Sequence, residues 1–231
     1  MNYMLTSIKA KLKKISRKIL RVDRHIEREN YLAINRFSQK FEIIDFRFID
    51  INDLHDLRWG WWSRIYEYPI ILENLKNYGL FKGSYLHNTC WGYEGGHIIF
   101  KNALEQLCDN VTNSDLRFSE IENTMIWDST SPILSEWHQN FDFVLNISTL
   151  EEIDYPQIKI FESYLKMLKE GGYFLATFDI PGLQLNAFET LFNRKIVEPL
   201  MPINGSNSGW RQDKYADLKC GLMTIKKLAS N

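Results

Sequence analysis

Five strand-like segments alternate with helical patterns in this chain, and this alternation most constrains the fold. The first segment begins at Ser84, and the others are residues 111–115, 124–127, 141–147 and 173–178. Strands that alternate with helices at this spacing form a parallel sheet covered by helices on both faces. The sequence therefore predicts an α/β fold built on a doubly wound, mostly parallel sheet.

A glycine-rich turn follows the first segment and leads directly into a helix. Residues 84–97 begin as a strand and break at Gly92, Gly95 and Gly96, and a helical pattern starts at Ile98. Glycine lets the backbone turn and lets a ligand approach it closely, and a helix N-terminus attracts phosphate groups. One interpretation is a cradle for a nucleotide or nucleoside. The other is an ordinary tight turn that uses glycine for its conformation.

An acid follows two of the strand-like segments. Asp115 closes residues 111–115, and Asp128 comes directly after residues 124–127. A carboxylate at the carboxyl edge of a parallel sheet accepts hydrogen bonds from two adjacent ribose hydroxyls. The alternative is an acid that caps a helix or closes a turn.

Two further passages resemble the class I S-adenosylmethionine-dependent methyltransferases. Residues 141–146 with 148–153 are similar to that family's fourth strand and following helix, and residues 168–177 to its passage into the fifth strand. The resemblance implies a Rossmann-like sheet of seven strands. The last strand, residues 218–225, would run antiparallel between the fifth strand and a sixth, for which residues 196–198 are the candidate.

The resemblance also implies S-adenosylmethionine as cofactor and a role for each matched position. The glycine-rich loop around its methionine part would include Thr89, Cys90, Trp91, Gly92 and Gly95. Asp115 would bind the ribose and Asp128 the adenine amino group, while Asn146 and Ile147 would lie under the methyl-donor end.

Two positions depart from the family pattern in the cofactor loop. His87 stands where the family has an acid, and the bulky Trp91 stands where the backbone approaches the ligand. Three functions therefore stay open. The first is a methyltransferase acting on a small molecule or glycan, with cell-surface polysaccharide synthesis as its setting. The second is a non-catalytic, methyltransferase-like module that serves as an assembly partner. The third is another Rossmann-like enzyme that uses a nicotinamide or a nucleotide sugar.

Methyl transfer to an oxygen needs a base that removes the acceptor's proton. The candidates are Glu151, Asp179 and His138, and each has a structural alternative as a capping acid, a turn acid or a surface histidine. The sequence contains no metal-ligand spacing, so no metal site is predicted.

Charge and composition narrow the class of partner. The chain has 231 residues, a net charge of -1 and three cysteines without metal-ligand spacing, which favours a reducing, cytoplasmic setting. Residues 1–30 carry nine Lys and Arg against three acids, a net +6, which leaves -7 for the remainder. An acidic body disfavours a nucleic-acid substrate.

Residues 1–30 form a distinct basic, amphipathic helix in this prediction. Apolar residues recur at alternating intervals of three and four from Leu5 to Ile26, which is a heptad pattern. The helix has three interpretations: it packs on its own domain, pairs with another helix as a coiled coil, or lies on an anionic membrane surface.

The remainder divides into two predicted segments. Residues 31–83 are predicted to be a linker and helical lead-in, with residues 41–46 as a short strand or extended arm. Arg64 and Glu67 stand three apart and are expected to pair on a helix. Residues 84–231 are predicted to form the methyltransferase-like domain.

Overall fold

The computed structural model describes residues 22–50, 52–59, 63–89, 95–116, 124–180, 182–197 and 219–229. Its helices are α1 (residues 22–36), α2 (Arg64–Asn77), α3 (Gly95–Leu107), α4 (Gln157–Met167) and α5 (Leu185–Phe192). Its strands are β1 (Phe41–Phe48), β2 (Tyr85–Thr89), β3 (Asn110–Asp115), β4 (Thr124–Ile126), β5 (Phe141–Ile147), β6 (Leu168–Ile180) and β7 (Lys219–Lys227).

The seven strands form one sheet in the order β1-β7-β6-β5-β2-β3-β4. Neighbours from β6 to β4 in this order are parallel, whereas β7 is antiparallel to both β6 and β1. The α/β, mostly parallel, seven-stranded sheet expected from the sequence is thus confirmed. The chain winds outward in opposite directions from β2 and β5, so the strand order reverses between these two neighbours.

The edge position beside β7 departs from the expected topology. Ile196 and Val197 lie outside any strand, and Glu198 lies outside the described residues. The N-terminal strand β1 pairs with β7 instead and runs in the same direction as β6. The predicted sixth strand is therefore wrong at residues 196 and 197. The predicted lead-in segment supplies the strand at that edge, because β1 pairs with β7 from Phe41 to Phe48.

Helices cover both faces of the sheet, as predicted. On one face, α1, α4 and α5 enclose an aromatic core centred on Phe161, whose neighbours include Phe174 and Phe188. On the other face, α2 and α3 meet where the rings of Tyr68 and Phe100 stack 4.2 Å apart. Each face buries a continuous apolar surface, and this burial is the main source of the sheet's stability.

The C-terminal part of α1 packs on its own domain. Ala33 is buried in the core, and Asn30 Oδ1 accepts a hydrogen bond from the backbone N–H of Ile158 in the first turn of α4. Glu29 forms an ion pair with Lys159 at 2.6 Å. Self-packing is therefore the arrangement found for residues 22–36, whereas residues 1–21 lie outside the described part. Within the described residues, no helix is long and apolar enough to cross a membrane.

The α4 helix begins later than its sequence pattern suggested. The resemblance placed the helix after the fourth strand at residues 148–153, but a short 3-10 turn, Leu150–Glu152, lies there and α4 begins at Gln157. Two side chains accept hydrogen bonds from the first turn of α4. Asn30 Oδ1 accepts from the Ile158 N–H, and Gln184 Oε1 accepts from the Gln157 N–H at 3.0 Å. These two residues satisfy helix N–H groups that would otherwise be buried without partners.

Gly221 in β7 has no room for a side chain. A Cβ at this position would lie 2.2 Å from the ring of Phe178 on β6. We expect Gly221→Ala to lower the free energy of unfolding by about 1–3 kcal/mol through overpacking, measured by urea unfolding. Because Phe178→Leu removes the ring, the alanine is expected to cost less in that background. An equal cost in both backgrounds would contradict this explanation.

Candidate functional site

The carboxyl ends of the parallel strands meet at one edge of the sheet. The backbone register places Thr89 of β2 beside Ser114 of β3 on one side and beside Asn146 of β5 on the other. Asp115 follows Ser114 at the end of β3 and is 8% exposed. The sheet therefore brings Thr89, Asp115 and Asn146 together, at the point where the strand order reverses.

Asp128 lies beyond the end of β4 and shapes the turn there. Its Oδ1 accepts hydrogen bonds from the backbone N–H and the hydroxyl of Thr130, both at 2.8 Å. Trp127, which precedes it, pairs with β3 through an N–H that donates to the Asp115 carbonyl. The turn function that was the alternative for such an acid is thus present at Asp128.

The Tyr164 hydroxyl joins three strand ends beneath this edge. Thr89 Oγ1 lies 3.4 Å, Ser129 Oγ 2.8 Å and Asn146 Nδ2 3.0 Å from it. The Asn146 Oδ1 atom in turn accepts from the backbone N–H of Leu150 at 2.9 Å. We call these four side chains the Tyr164 network: Thr89, Ser129, Asn146 and Tyr164. All are buried, so the polar groups of Thr89 and Asn146 are engaged inside the protein.

His87 is a core residue and not an edge residue. It lies two positions before the end of β2, and aromatic rings of Trp127, Trp137 and Phe141 surround it. Its Nε2 is 3.0 Å from Ser114 Oγ. Burial lowers the pKa of His87 from 6.5 to about 3, so the imidazole is neutral in the folded protein at physiological pH.

A second polar group, the acidic cluster, lies at the same edge beneath β5, β6 and β7. Its members are Arg64, Glu67, Ser148, Glu151, Asp179 and Cys220. The Glu67 carboxylate forms an ion pair with Arg64 and accepts from the hydroxyls of Ser63 and Ser148. Ser148 has a left-handed backbone with φ of 41°, and this strained conformation accompanies a hydroxyl directed at Glu67.

Two acids of the cluster have raised pKa values. Burial, and then the charge of Glu67, raises the pKa of Asp179 from 3.8 to about 7. Burial, and then the charge of Asp179, raises the pKa of Glu151 well above its usual 4.5. For Glu67 itself, burial acts to raise the pKa, but Arg64 and the hydrogen bonds to the carboxylate outweigh it and the net shift is downward.

Glu151 and Asp179 are in direct contact, as the backbone N–H of Asp179 donates to Glu151 Oε1 at 2.9 Å. His138 lies apart from them, because it precedes β5 and is exposed at the amino edge of the sheet. It cannot share a site with the two acids across the length of β5, so its inclusion as a third candidate base is corrected.

The remaining predicted cofactor residues divide into two groups. Gly95 is the first residue of α3, and the Ile147 side chain is buried in the core under α2. Cys90, Trp91 and Gly92 lie outside the described residues. The sequence did not indicate Tyr164 or Cys220 as members of any site, because each reaches its partners only through the fold.

Comparison with known proteins finds remote structural similarity and no match in sequence. No protein-family model and no curated protein matches the sequence. Similar solved structures include the YcgJ protein from Bacillus subtilis, which is 12% identical with a TM-score of 0.49, covering 71% of this chain and 99% of that chain. The N-methyltransferase NodS from Bradyrhizobium japonicum WM9 is 15% identical with a TM-score of 0.45, covering 69% and 96%. The cyclase SpnF is 14% identical with a TM-score of 0.46, covering 78% and 89%.

These similarities are remote, and the strand order itself defines the class. A parallel sheet with a switch point between β2 and β5, and a reversed strand between β6 and an edge strand, is Rossmann-like. It has the arrangement that the resemblance to class I methyltransferases implied, with β1 in the place of the sixth strand.

The neutral His87 makes the stability of the fold sensitive to acid. Because its pKa is about 3 in the folded protein and 6.5 when unfolded, only the unfolded chain takes up a proton as pH falls below 6.5. The contribution of the neutral His87 to the free energy of unfolding is therefore complete above pH 6.5 and is lost progressively toward pH 3. At pH 5 the loss is expected to be about 2 kcal/mol.

Urea unfolding at pH 7.5, 6 and 5 measures this effect. The difference in unfolding free energy between the wild type and His87→Gln isolates the histidine, since other titrating groups are common to both. We expect that difference to shrink by about 2 kcal/mol between pH 7.5 and pH 5. A difference independent of pH would show that His87 titrates alike in the folded and unfolded states, which would contradict the lowered pKa.

Proposed function

We propose that this chain is an S-adenosylmethionine-dependent methyltransferase. The observation that supports it is the convergence of Thr89, Asp115 and Asn146 at the switch point between β2 and β5. In open α/β sheets, ligands bind outside the carboxyl ends of the strands at such a point. The proposal concerns activity, which fold alone does not determine.

The side chains at this edge suit an adenosyl ligand. Asp115 offers a carboxylate at the end of β3, where it would accept from the ribose hydroxyls, and Asp128 would accept from the adenine amino group. The loop from Thr89 through Cys90, Trp91 and Gly92 to Gly95 would enclose the methionine part. Asn146 and Ile147, at the end of β5, would bound the side from which the methyl acceptor approaches.

When bound, the cofactor supplies a methyl group on a sulfonium, which is already an activated donor. The protein's own contribution is then chiefly to hold the two reactants close and aligned. Glu151 lies in the 3-10 turn after β5 and Asp179 near the end of β6, on the acceptor side of the proposed site. They remain the candidates for removing a proton from an oxygen acceptor.

We propose a small molecule or a glycan as acceptor, with cell-surface polysaccharide synthesis as the setting. The support is compositional: residues 31–231 carry a net charge of -7, which disfavours a nucleic acid. The basic residues 1–30 would bring the enzyme to an anionic membrane or to a helical partner. Deleting residues 1–21 tests the membrane contact by liposome sedimentation and the helical partner by the oligomeric mass. If the deletion changes neither measurement, the membrane and the helical partner are both excluded from the proposal.

A specific observation favours the alternative, a non-catalytic assembly module. The Tyr164 hydroxyl already engages Thr89 and Asn146, and the histidine in place of the family's acid is buried in the core. Because Thr89 and Asn146 already form hydrogen bonds within the protein, fewer polar groups at this edge of the sheet are free to bind a ligand.

Calorimetric titration with S-adenosylmethionine and with its demethylated product distinguishes the two functions. A methyltransferase is expected to bind both, with dissociation constants of about 1–100 µM, the range of a working cofactor. Absence of heat and of any thermal shift at millimolar ligand would exclude the enzyme and leave the assembly module.

Tyr164 is expected to position the strand ends that surround the ligand. Tyr164→Phe removes one hydroxyl that holds β2, β5 and the turn after β4 together, so we expect about tenfold weaker cofactor binding. Tyr78→Phe is the matched control. Tyr78 directly follows the C-terminus of α2, where its ring stacks on Tyr173, and it is not part of the Tyr164 network. Equal affinities for the two variants would show that the Tyr164 network is only structural.

A further inference from the structure

Three potential metal ligands converge within the acidic cluster from three different elements. Glu67 belongs to α2, Asp179 to the end of β6 and Cys220 to the start of β7. One ligand atom from each lies within 4.8 Å of the other two. We propose that Glu67, Asp179 and Cys220 bind one divalent transition-metal ion of the zinc class. The inference does not depend on methyl transfer, and the sequence did not predict it.

The donor atoms and their spacing suit such an ion. Zinc binds thiolate sulfur at about 2.3 Å and carboxylate oxygen at about 2.0–2.2 Å, so two such ligands on one ion lie about 3.5 Å apart. Cys220 Sγ lies 3.6 Å from Glu67 Oε1. A mixed sulfur and oxygen set favours zinc over magnesium or calcium, which take oxygen ligands alone. Three protein ligands leave a fourth coordination position open.

The contacts around Glu67 leave Oε1 able to act as a ligand. Arg64 and Ser63 donate to Oε2, whereas Ser148 and the Cys220 thiol donate to Oε1. On metal binding the Cys220 thiol releases its proton to solvent, and the Glu67 Oε1 lone pair that accepted the thiol's hydrogen bond becomes available to the ion. Arg64 and Ser148 would then orient the carboxylate from outside, as outer contacts do in metal sites.

Unsatisfied oxygens of one ligand, Asp179, and of the neighbouring Glu151 provide a second observation. Asp179 Oδ1 and Glu151 Oε2 are both buried and have no hydrogen-bond partner, and Glu151 as a whole is only 7% exposed. Among the described residues, three carboxyl groups and a thiol share this space, and Arg64 is the cation paired with Glu67. Buried carboxylates without partners are costly, and a divalent ion offsets their charge directly.

A metal ion at this position would give Asp179 and Glu151 different roles. Asp179 would be a metal ligand and so would not act as a free base. Glu151, whose Oε1 is held by the Asp179 N–H, would remain the acid with an uncommitted oxygen beside the ion.

Cobalt(II) is the probe, because it replaces zinc and gives a near-ultraviolet charge-transfer band when bound to a thiolate. The full chain with Cys90→Ser and Cys108→Ser keeps Cys220 as its only thiol. We expect this variant to show the band with one equivalent of Co²⁺, to release the ion to Zn²⁺, and to melt several degrees higher with Zn²⁺ than without.

Two comparisons test the ligands. Cys220→Ser is expected to abolish the band, whereas Cys108→Ser, another buried cysteine, keeps it. Asp179→Asn keeps the size of the side chain and is expected to weaken Zn²⁺ binding at least tenfold in a thermal-shift titration. This second variant still tests the metal site if Cys220→Ser fails to fold. No thiolate band at saturating Co²⁺, a band that survives in Cys220→Ser, or unchanged affinity in Asp179→Asn would each overturn the proposal.

Discussion

Glu67→Gln is expected to lower the free energy of unfolding by about 3–5 kcal/mol, the largest stability effect we anticipate. The Glu67 side chain is fully buried and pairs with Arg64, whose side chain is only 16% exposed. The amide keeps the shape of the carboxylate but removes the charge that compensates the guanidinium. It also brings an N–H₂ group to a place where Ser63, Arg64 and Ser148 already donate.

Urea unfolding at pH 7.5 in the presence of a chelator measures this effect without any contribution from a bound ion. Glu73→Gln is the matched control, because Glu73 is exposed on the same helix and its loss is expected to change stability by less than about 0.5 kcal/mol. If Glu67→Gln stayed within about 1 kcal/mol of the wild type, Arg64 would not depend on this carboxylate for its compensation.

Asp115→Ala is expected to weaken binding of S-adenosylmethionine about 100-fold, the largest effect on function. A carboxylate that accepts from two hydroxyls makes two charge-assisted hydrogen bonds, and together they contribute about 3 kcal/mol. Asp128→Ala is expected to weaken binding about tenfold, because a single bond to the adenine amino group is lost. Calorimetry on each variant measures both changes.

Asp109→Ala provides the control for this series. Asp109 lies just before β3, at the opposite end from Asp115, and forms an exposed ion pair with Lys82. Its removal is expected to leave the affinity unchanged. Unchanged affinity in Asp115→Ala, in a wild type that does bind, would mean that the ribose contact has been assigned to the wrong residue.

The central strands could be predicted because their signals are local. The segments at residues 111–115 and 141–147 correspond to β3 and β5 within one residue. The edge of the sheet could not be predicted in this way. Residues 196 and 197 have a strand-like composition, but strand formation depends on a partner, and β1 occupies that position beside β7. Pairing between residues so distant in sequence leaves no local pattern.

The candidate site likewise combines residues that a local sequence pattern indicates with residues that only the fold brings together. Asp115 was expected at a strand end because an acid closes a strand-like segment. The Arg64–Glu67 pair was expected from its helical spacing and is confirmed. Cys220 joins Glu67 only across the sheet, 153 positions away. The amide of Asn146 was expected to face a ligand, yet Tyr164 contacts it from α4, which no pattern within β5 indicates.

The position of β1 has a consequence for how the chain reaches its final state. Because β1 pairs with β7, the first of the described strands must wait for the last one, and nearly the whole domain separates the two in sequence. The pairing extends past the strands, with the Leu228 N–H donating to the Lys40 carbonyl at 2.9 Å. At the edge of the sheet, β1 has β7 as its single neighbour among the described strands. Until residues 219–227 are available during folding, the backbone groups of β1 therefore have no strand to pair with, and this edge of the sheet is completed last.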